Sequence, residues 1–86
     1  MQIRYTRHAE QKFELLKRHG LEVTREQIEQ TLLSPEAVLP QERGRWVAQR
    51  AISERHLLRV VYREEDDAKV VITFYPARRE RYEGHL

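Results

Sequence analysis

The residues best suited to chemistry stand at the C-terminal end of the chain, where aromatic rings and arginines come close together. Tyr75 closes a strand-like run, and further arginines and a second tyrosine follow it: Arg78, Arg79, Arg81 and Tyr82. A guanidinium is a planar fork of donors that matches a phosphate, and a tyrosine ring can stack on a base. The pattern favours a surface for phosphates and bases. The alternative is a solvated tail whose arginines pair with Glu80 and Glu83.

Two further residues, His8 and Arg59, lie earlier in the sequence and add groups for proton transfer and charge stabilisation. His8 lies at the predicted start of a helix, where phosphate is attracted, and histidine changes charge near neutral pH. Arg59 interrupts the apolar run Leu57–Val61. Metal-free RNA cleavage needs a base for the 2′-hydroxyl, cations for the phosphorane and an acid for the leaving oxygen. His8 and the two tyrosines are candidates for proton transfer; the alternative for His8 is a purely structural role at that turn.

The composition sets the size and class of the protein. A chain of 86 residues predicts one domain, 1–86, with a single modest core. The sequence has no cysteine and no apolar run of about 18 residues, so we expect neither a thiolate metal site nor a transmembrane helix. The charged N-terminus lacks the apolar segment of a signal peptide, and we expect a cytoplasmic location.

The positive charge is carried mainly by arginine and lies mainly in the C-terminal half. The net charge is +2, and 13 of the 16 basic residues are arginines. Residues 1–43 hold seven basic and seven acidic groups, whereas residues 44–86 hold nine and seven. We therefore expect any cationic face to come from the C-terminal half.

Local signals predict two helices at the N-terminal end. Thr6 is a candidate N-cap, the residues Ala9, Phe13 and Leu16 recur at helical spacing, and Gly20 is a C-terminal stop. The second helix starts with a capping box in which Thr24 is followed by Gln27 three positions later. It ends at Ser34-Pro35, because the residue before proline is disfavoured in the α region.

The remaining chain reads as β-structure. Met1–Tyr5 is a candidate edge strand, and further strands are predicted at 37–39, 46–52, 57–63 and 69–75. The sequence thus predicts an α+β fold, with two N-terminal helices packed on one face of a mostly antiparallel sheet of four to five strands.

The last two predicted strands can be placed in register if Glu64–Ala68 is a loop. The helix-side face then receives the cross-strand pairs Leu58–Phe74, Val60–Ile72 and Tyr62–Val70. The other face receives Arg59–Thr73, Val61–Val71 and the like-charge pair Arg63–Lys69, which an acidic neighbour or a bound phosphate would have to offset. For the strand before them two alternatives remain: Trp46 and Arg50 on the charged face, or Trp46 and Ile52 in the core.

Other patterns do not predict a site. Glu64–Asp67 is a run of adjacent carboxylates without the ligand spacing of a calcium loop. The remaining histidines have no metal-ligand spacing, and there is no glycine-rich phosphate loop. We therefore expect no metal and no cofactor.

Several motifs together resemble a known group of proteins. They are Tyr5-Thr6-Arg7-His8-Ala9, His19-Gly20, Thr24, Ser34-Pro35, 57–62 and 71–76. This pattern resembles small prokaryotic proteins of unknown function related to the RelE/ParE toxin superfamily, with BrnT-type toxins as relatives, over nearly the whole chain. The resemblance implies two helices on one face of an antiparallel sheet and a functional groove on the other face.

The resemblance also implies a range of activities. Members of the superfamily include mRNA endoribonucleases and gyrase poisons, and each toxin is usually neutralised by a small antitoxin protein. The residues of this chain that match the general ingredients are Arg59, Arg78, Arg79 and Tyr82. The dense lysine cluster of several superfamily members is absent from the sequence.

These observations lead to the hypothesis of a toxin-like RNA-binding domain, a metal-independent mRNA endoribonuclease restrained by an antitoxin. The alternatives are a non-catalytic module that binds nucleic acid or protein through the same face, and a poison of a protein target. The predicted catalytic residues are His8, Arg59, Arg79 and Tyr82. The predicted nucleic-acid-binding residues are Arg50, Arg63, Lys69, Tyr75, Arg78 and Arg81.

Overall fold

The computed structural model describes residues 1–80, which form two helices and a five-stranded mixed sheet. The strands and helices, in chain order, are β1 (Gln2–Tyr5), α1 (Arg7–Arg18), α2 (Arg25–Leu33), β2 (Ala37–Pro40), β3 (Arg45–Ala51), β4 (His56–Glu65) and β5 (Ala68–Arg78). The sheet order is β1-β5-β4-β3-β2; β1 runs parallel to β5 and every other pair is antiparallel. The predicted α+β fold is confirmed. None of the helices within residues 1–80 is long and apolar enough to span a bilayer.

Both helices begin and end where the sequence signals place them. The Thr6 hydroxyl accepts from the Ala9 N–H at 3.1 Å and caps α1. At its other end Gly20 takes φ +80, and the Leu21 N–H donates to the Leu16 carbonyl at 2.9 Å, which is the closing bond of a Schellman motif. The capping box of α2 is complete, since Thr24 and Gln27 each accept from the other's backbone N–H. Such a cap is worth about 1 kcal/mol.

The core lies between the helices and one face of the sheet, called here the helix-side face. Ala9 of α1 and Ile28 of α2 are fully buried against Leu58, Val60 and Phe74 of the central strands. Phe13 packs on Phe74 with ring centroids 4.7 Å apart. Alternation along the strands sends the neighbouring side chains to the opposite face, called here the second face.

The register of β4 and β5 differs from the prediction. The strands continue to Glu65 and Ala68, so the turn is only Asp66-Asp67, and Tyr62 faces Val71 instead of Val70. A bulge between Val61 and Tyr62 then shifts the ladder by one residue, so that Val60 faces Phe74. The bulge returns Phe74 to the helix-side face, as predicted. Its cross-strand partner, however, is Val60 instead of the predicted Leu58.

The β3–β4 connection decides between the two alternatives for β3. Trp46 faces Tyr62, and Arg50 faces Leu58, which places both on the helix-side face. Ile52 packs against the core, whereas Trp46 is 36% exposed beside it. The alternative with Trp46 and Arg50 on the charged face is wrong, because Arg50 pairs with Leu58, whereas that alternative requires it to pair with Arg59, one residue further along β4.

The second face, to which the predicted register assigned Arg59, Arg63 and Lys69, has a buried centre. Val47, Gln49 and Leu57 at its centre are each at most 2% exposed. β3 and β4 contribute apolar side chains to both faces, and Val47 and Leu57 are among those on the second face. The exposed cationic groups of this face lie at its margins.

Candidate functional site

α1 begins beside β5, just past the point where β1 ends. β1 pairs with β5 only as far as Val71. The Thr6 N–H then donates to the Val71 carbonyl at 3.0 Å, and its hydroxyl donates to the Ile72 carbonyl at 3.2 Å. These bonds place the first two turns of α1 alongside the next residues of β5.

Two side chains of α1 converge on Thr73 of β5. The Lys12 ammonium donates to Thr73 Oγ1 at 2.9 Å, and His8 Nε2 lies 3.3 Å from the same oxygen. His8 and Lys12 are four residues apart and therefore share one helix face. Since an ammonium can only donate, Thr73 accepts from Lys12, and its hydroxyl proton can be donated to the neutral ring of His8.

Lys12 is held between polar and aromatic neighbours. Its ammonium lies 5.7 Å from the centroid of the Tyr75 ring and 6.0 Å from that of Phe74. Partial burial lowers the pKa of Lys12 from the usual lysine value. The lowered pKa makes Lys12 a better proton donor near neutral pH than an exposed lysine.

Tyr75 joins Lys12 to an arginine of the second face. Arg59 and Tyr75 are cross-strand partners, and Arg59 Nη1 donates to the Tyr75 hydroxyl at 3.0 Å. The guanidinium carbon lies 5.8 Å from the ring centroid, and Arg59 is only 8% exposed. His8, Lys12, Arg59, Thr73 and Tyr75 form a continuous set, called here the His8 cluster.

The structure thus brings together three of the predicted site residues: His8, Arg59 and Tyr75. It adds Lys12 and Thr73, which were not among the predicted site residues. The spacing of His8 and Lys12 indicated a shared helix face, but nothing in the sequence indicated that this face meets Thr73. That contact depends on where the parallel β1–β5 pair ends.

Arg79 and Arg78 lie at a different place, at the end of β5. The Arg79 N–H donates to the Arg55 carbonyl at 2.9 Å, and its Nη1 donates to the Ser53 carbonyl at 3.4 Å. A shallow groove there is lined by Glu54, Arg55, His56, Arg78, Arg79 and Glu80. Strand rise places Arg79 about 13 Å along the chain from Tyr75. Of the predicted catalytic residues that the structure describes, His8 and Arg59 therefore lie at one position and Arg79 at another.

The other predicted binding residues are scattered. Arg63 lies on the second face and pairs with Glu65. Lys69 lies on the helix-side face, 4.5 Å from the centroid of the Tyr62 ring and 3.8 Å from the Glu64 carboxylate. The predicted Arg63–Lys69 pair is wrong, since the short turn places Arg63 opposite Val70 and Lys69 opposite Glu64.

Arg50 stands apart from all of these. Its Nη1 donates to the Ser34 carbonyl at 2.7 Å, at the C-terminal end of α2. This contact ties β3 to the helix layer. The predicted residues Arg81 and Tyr82 lie outside the described residues.

Within residues 1–80, no group of histidine and acidic side chains is arranged to hold a metal ion. Comparison of the chain with protein families, with curated proteins and with solved structures finds no match in any of the three. The His8 cluster is therefore interpreted from its own chemistry: a histidine, a partly buried ammonium, a hydroxyl that bridges them, and a phenol held by a guanidinium.

Proposed function

We propose that the protein binds single-stranded RNA and cleaves it without a metal ion at the His8 cluster. The observation that carries this proposal is the convergence of His8 and Lys12 on Thr73, 3.3 and 2.9 Å from one hydroxyl. A proton acceptor and a proton donor are thereby held side by side at an accessible margin of the sheet. Acid–base cleavage of a phosphodiester requires both groups.

In the proposed reaction, His8 takes the proton of the RNA 2′-hydroxyl. The 2′-oxygen forms a bond to phosphorus, and the bond from phosphorus to the 5′-oxygen breaks. Lys12 gives its proton to that leaving oxygen, and its ammonium stabilises the charge on phosphorus before the transfer. The products are a 2′,3′-cyclic phosphate and a 5′-hydroxyl, and the Thr73 hydroxyl offers a path for the proton from His8 back to Lys12.

Tyr75 and Arg59 have supporting roles in this proposal. The half-buried Tyr75 ring lies beside Lys12 and can stack on a base next to the reacting phosphate. Arg59 lies behind Tyr75 and donates to its hydroxyl, so it acts as a positioning residue. The lowered pKa of Lys12 supports its role as the acid.

A second function fits one observation. Because His8 Nε2 already lies within hydrogen-bond distance of Thr73, the cluster also suits a non-catalytic module that binds RNA without cutting it. The antitoxin partner that the resemblance implies stays a prediction.

The test is RNA cleavage in EDTA, with the ends of the products analysed for 2′,3′-cyclic phosphate. We expect His8→Gln and Lys12→Met to lower the rate by about 10²-fold or more each, the usual worth of a general base or acid. Lys17→Met is the control. Lys17 lies seven residues, about two helical turns, from Glu10, which contacts Arg25 of α2, and so it is on a different face of α1 from His8 and Lys12.

The outcomes separate the two functions. Binding without cleavage by the wild-type protein would favour the non-catalytic module. Cleavage that persists unchanged in His8→Gln would show that the reaction does not occur at this cluster. Absence of both binding and cleavage would overturn the proposal.

A further inference from the structure

Three arginines from three strands occupy one row across the second face. Arg4 of β1 pairs with Val70 of β5, Val70 pairs with Arg63 of β4, and Arg63 pairs with Arg45 of β3. Paired residues in neighbouring strands point to the same face of a sheet. With strands about 4.8 Å apart, Arg45 and Arg63 are direct neighbours and Arg4 lies about 10 Å from Arg63. Arg4, Arg63 and Arg45 are called here the arginine row.

The arginine row carries more positive charge than its surroundings neutralise. Arg63 pairs with Glu65, and both side chains are more than 40% exposed. Within residues 1–80, neither Arg4 nor Arg45 takes part in an ion pair. Two like charges directly opposite each other in a sheet are unfavourable. The row is thus a place where an anion would relieve repulsion.

Arg4 and Arg63 both stabilise the charged form of the Glu65 carboxyl. The pKa of the Glu65 carboxyl is lowered first by its hydrogen bond and charge contact with Arg63, and further by the charge of Arg4. Glu65 is thus paired with Arg63 and lies within the electrostatic influence of Arg4, while Arg45 lies on the other side of Arg63.

A shallow concavity continues the row beyond Arg45. It is lined by Pro40, Gln41, Glu42, Arg43, Arg45 and Val61. Arg43 has φ 63 and Gly44 has φ 71, so the loop before β3 turns through two left-handed residues. Left-handed conformation is uncommon for arginine, and Arg43 is one of the residues that line the concavity, together with Val61 and Glu42.

We propose that the arginine row binds consecutive phosphates of the single-stranded RNA whose cleavage is assigned to the His8 cluster; the inference rests on that proposed function. Guanidinium groups bind phosphate oxygens in a two-pronged geometry. Arg63 is four residues from Arg59 along β4, so the row lies about 13 Å from Arg59, a member of the His8 cluster that belongs to the second face. The partly buried Val61 lies between Arg63 and Arg59 on β4, and the Tyr75 ring lies beside Arg59, so apolar and aromatic surface that suits flat bases adjoins the guanidinium groups of the row.

The test measures binding of a fluorescein-labelled oligouridylate with 2′-O-methyl riboses, which cannot be cleaved by 2′-hydroxyl attack. Fluorescence anisotropy is recorded as a function of NaCl concentration. We expect the double variant Arg45→Gln/Arg63→Gln to bind about tenfold more weakly, with a logarithmic salt slope smaller by about 1.4, since each phosphate contact on a single strand contributes about 0.7. Arg4→Gln should lower the slope by about 0.7.

The control Lys17→Gln removes one positive charge from the helix layer and should leave affinity and slope unchanged. Circular dichroism and thermal unfolding establish that each variant is folded; the exposed Arg45→Gln alone serves if the double variant is not. Sulfate should raise the Tm of the wild type more than that of the double variant.

The results distinguish failure of this inference from failure of the proposed function. Equal affinity and salt slope in the wild type and the arginine variants, with cleavage still dependent on His8, would overturn the arginine row alone. No binding of the oligonucleotide by the wild type would overturn both. Displacement of the oligonucleotide by a polyglutamate peptide of equal charge at lower concentration than by unlabelled RNA would assign the row to an acidic protein and overturn the inference.

Discussion

Lys12 and Thr73 form a hydrogen bond of 2.9 Å that joins the first helix to the last strand, 61 residues apart in the sequence. This bond and the burial of Ala9 in the core together fix the rotation of α1 about its axis. His8 is thereby left at the accessible margin beside Thr73. The proposed chemistry depends on this one contact between helix and strand.

Lys12 should lose its proton at a lower pH in the folded chain than in the unfolded chain. Burial disfavours the charged ammonium and lowers its pKa, so the midpoint shifts toward neutral pH. The measurement is a pH titration of the Lys12 side-chain ¹³Cε resonance by NMR, with the same lysine in the urea-unfolded chain as reference. A folded midpoint equal to or above the unfolded one would contradict the burial seen here.

The same shift has a consequence for stability. Between the lowered pKa and the ordinary lysine value, the unfolded chain binds more protons at Lys12 than the folded chain does. The free energy of unfolding contributed by Lys12 therefore rises with pH across that interval. The Tm of the wild type should therefore rise relative to that of Lys12→Met as the pH increases across this interval. A fall of the wild-type Tm relative to that of the variant would contradict the lowered pKa.

The β4–β5 turn offers a matched pair of substitutions. Asp66 has φ 55, whereas Asp67 has no positive φ. Asp66→Gly should raise the free energy of unfolding by a few tenths of a kcal/mol up to about 1 kcal/mol, because glycine takes this conformation without steric cost. Asp67→Gly removes the same charge but only adds freedom to the unfolded chain, so it should not stabilise. Urea unfolding of both variants checks the difference; equal effects would indicate charge removal alone.

Local signals and long-range contacts differ in how far the sequence predicts them. The caps at Thr6, Thr24 and Gly20 were predicted because each depends on side chains within a few positions. The β4–β5 register was not, because the strands run on through Glu64 and Glu65 and the bulge after Val61 has no local signal. Strand pairing energy outweighed the turn preference of that acidic segment.

The candidate site shows the same division. His8, Arg59 and Tyr75 could be selected by residue type and position in the chain. Lys12 and Thr73 could not, because their contact requires the parallel pairing of β1 with β5, which joins the two ends of the chain. The arginine row requires the register of four strands at once.

Substitution of Arg50 should affect stability but not RNA binding, whereas substitution of Arg45 should weaken RNA binding without lowering stability. Arg50→Met removes the bond to the Ser34 carbonyl and should lower the free energy of unfolding by about 0.5–1.5 kcal/mol, with RNA affinity unchanged. Arg45→Met removes a charge opposite Arg63 and should weaken RNA binding without lowering stability. Urea unfolding and anisotropy on both proteins provide the comparison. Loss of RNA affinity in folded Arg50→Met would return Arg50 to the binding surface that the sequence predicted.

Arg59 and Tyr75 should be energetically coupled. Tyr75→Phe removes the hydroxyl that accepts from Arg59 Nη1 and leaves a buried guanidinium with one acceptor fewer, at a cost of about 1–2 kcal/mol. In an Arg59→Met background the same substitution should cost much less, because no buried donor is left behind. Urea unfolding of the four proteins in this double-mutant cycle gives the coupling energy. Additive effects would mean that the bond contributes little and that Arg59 does not position the ring, in which case Tyr75→Phe should also leave RNA cleavage unchanged.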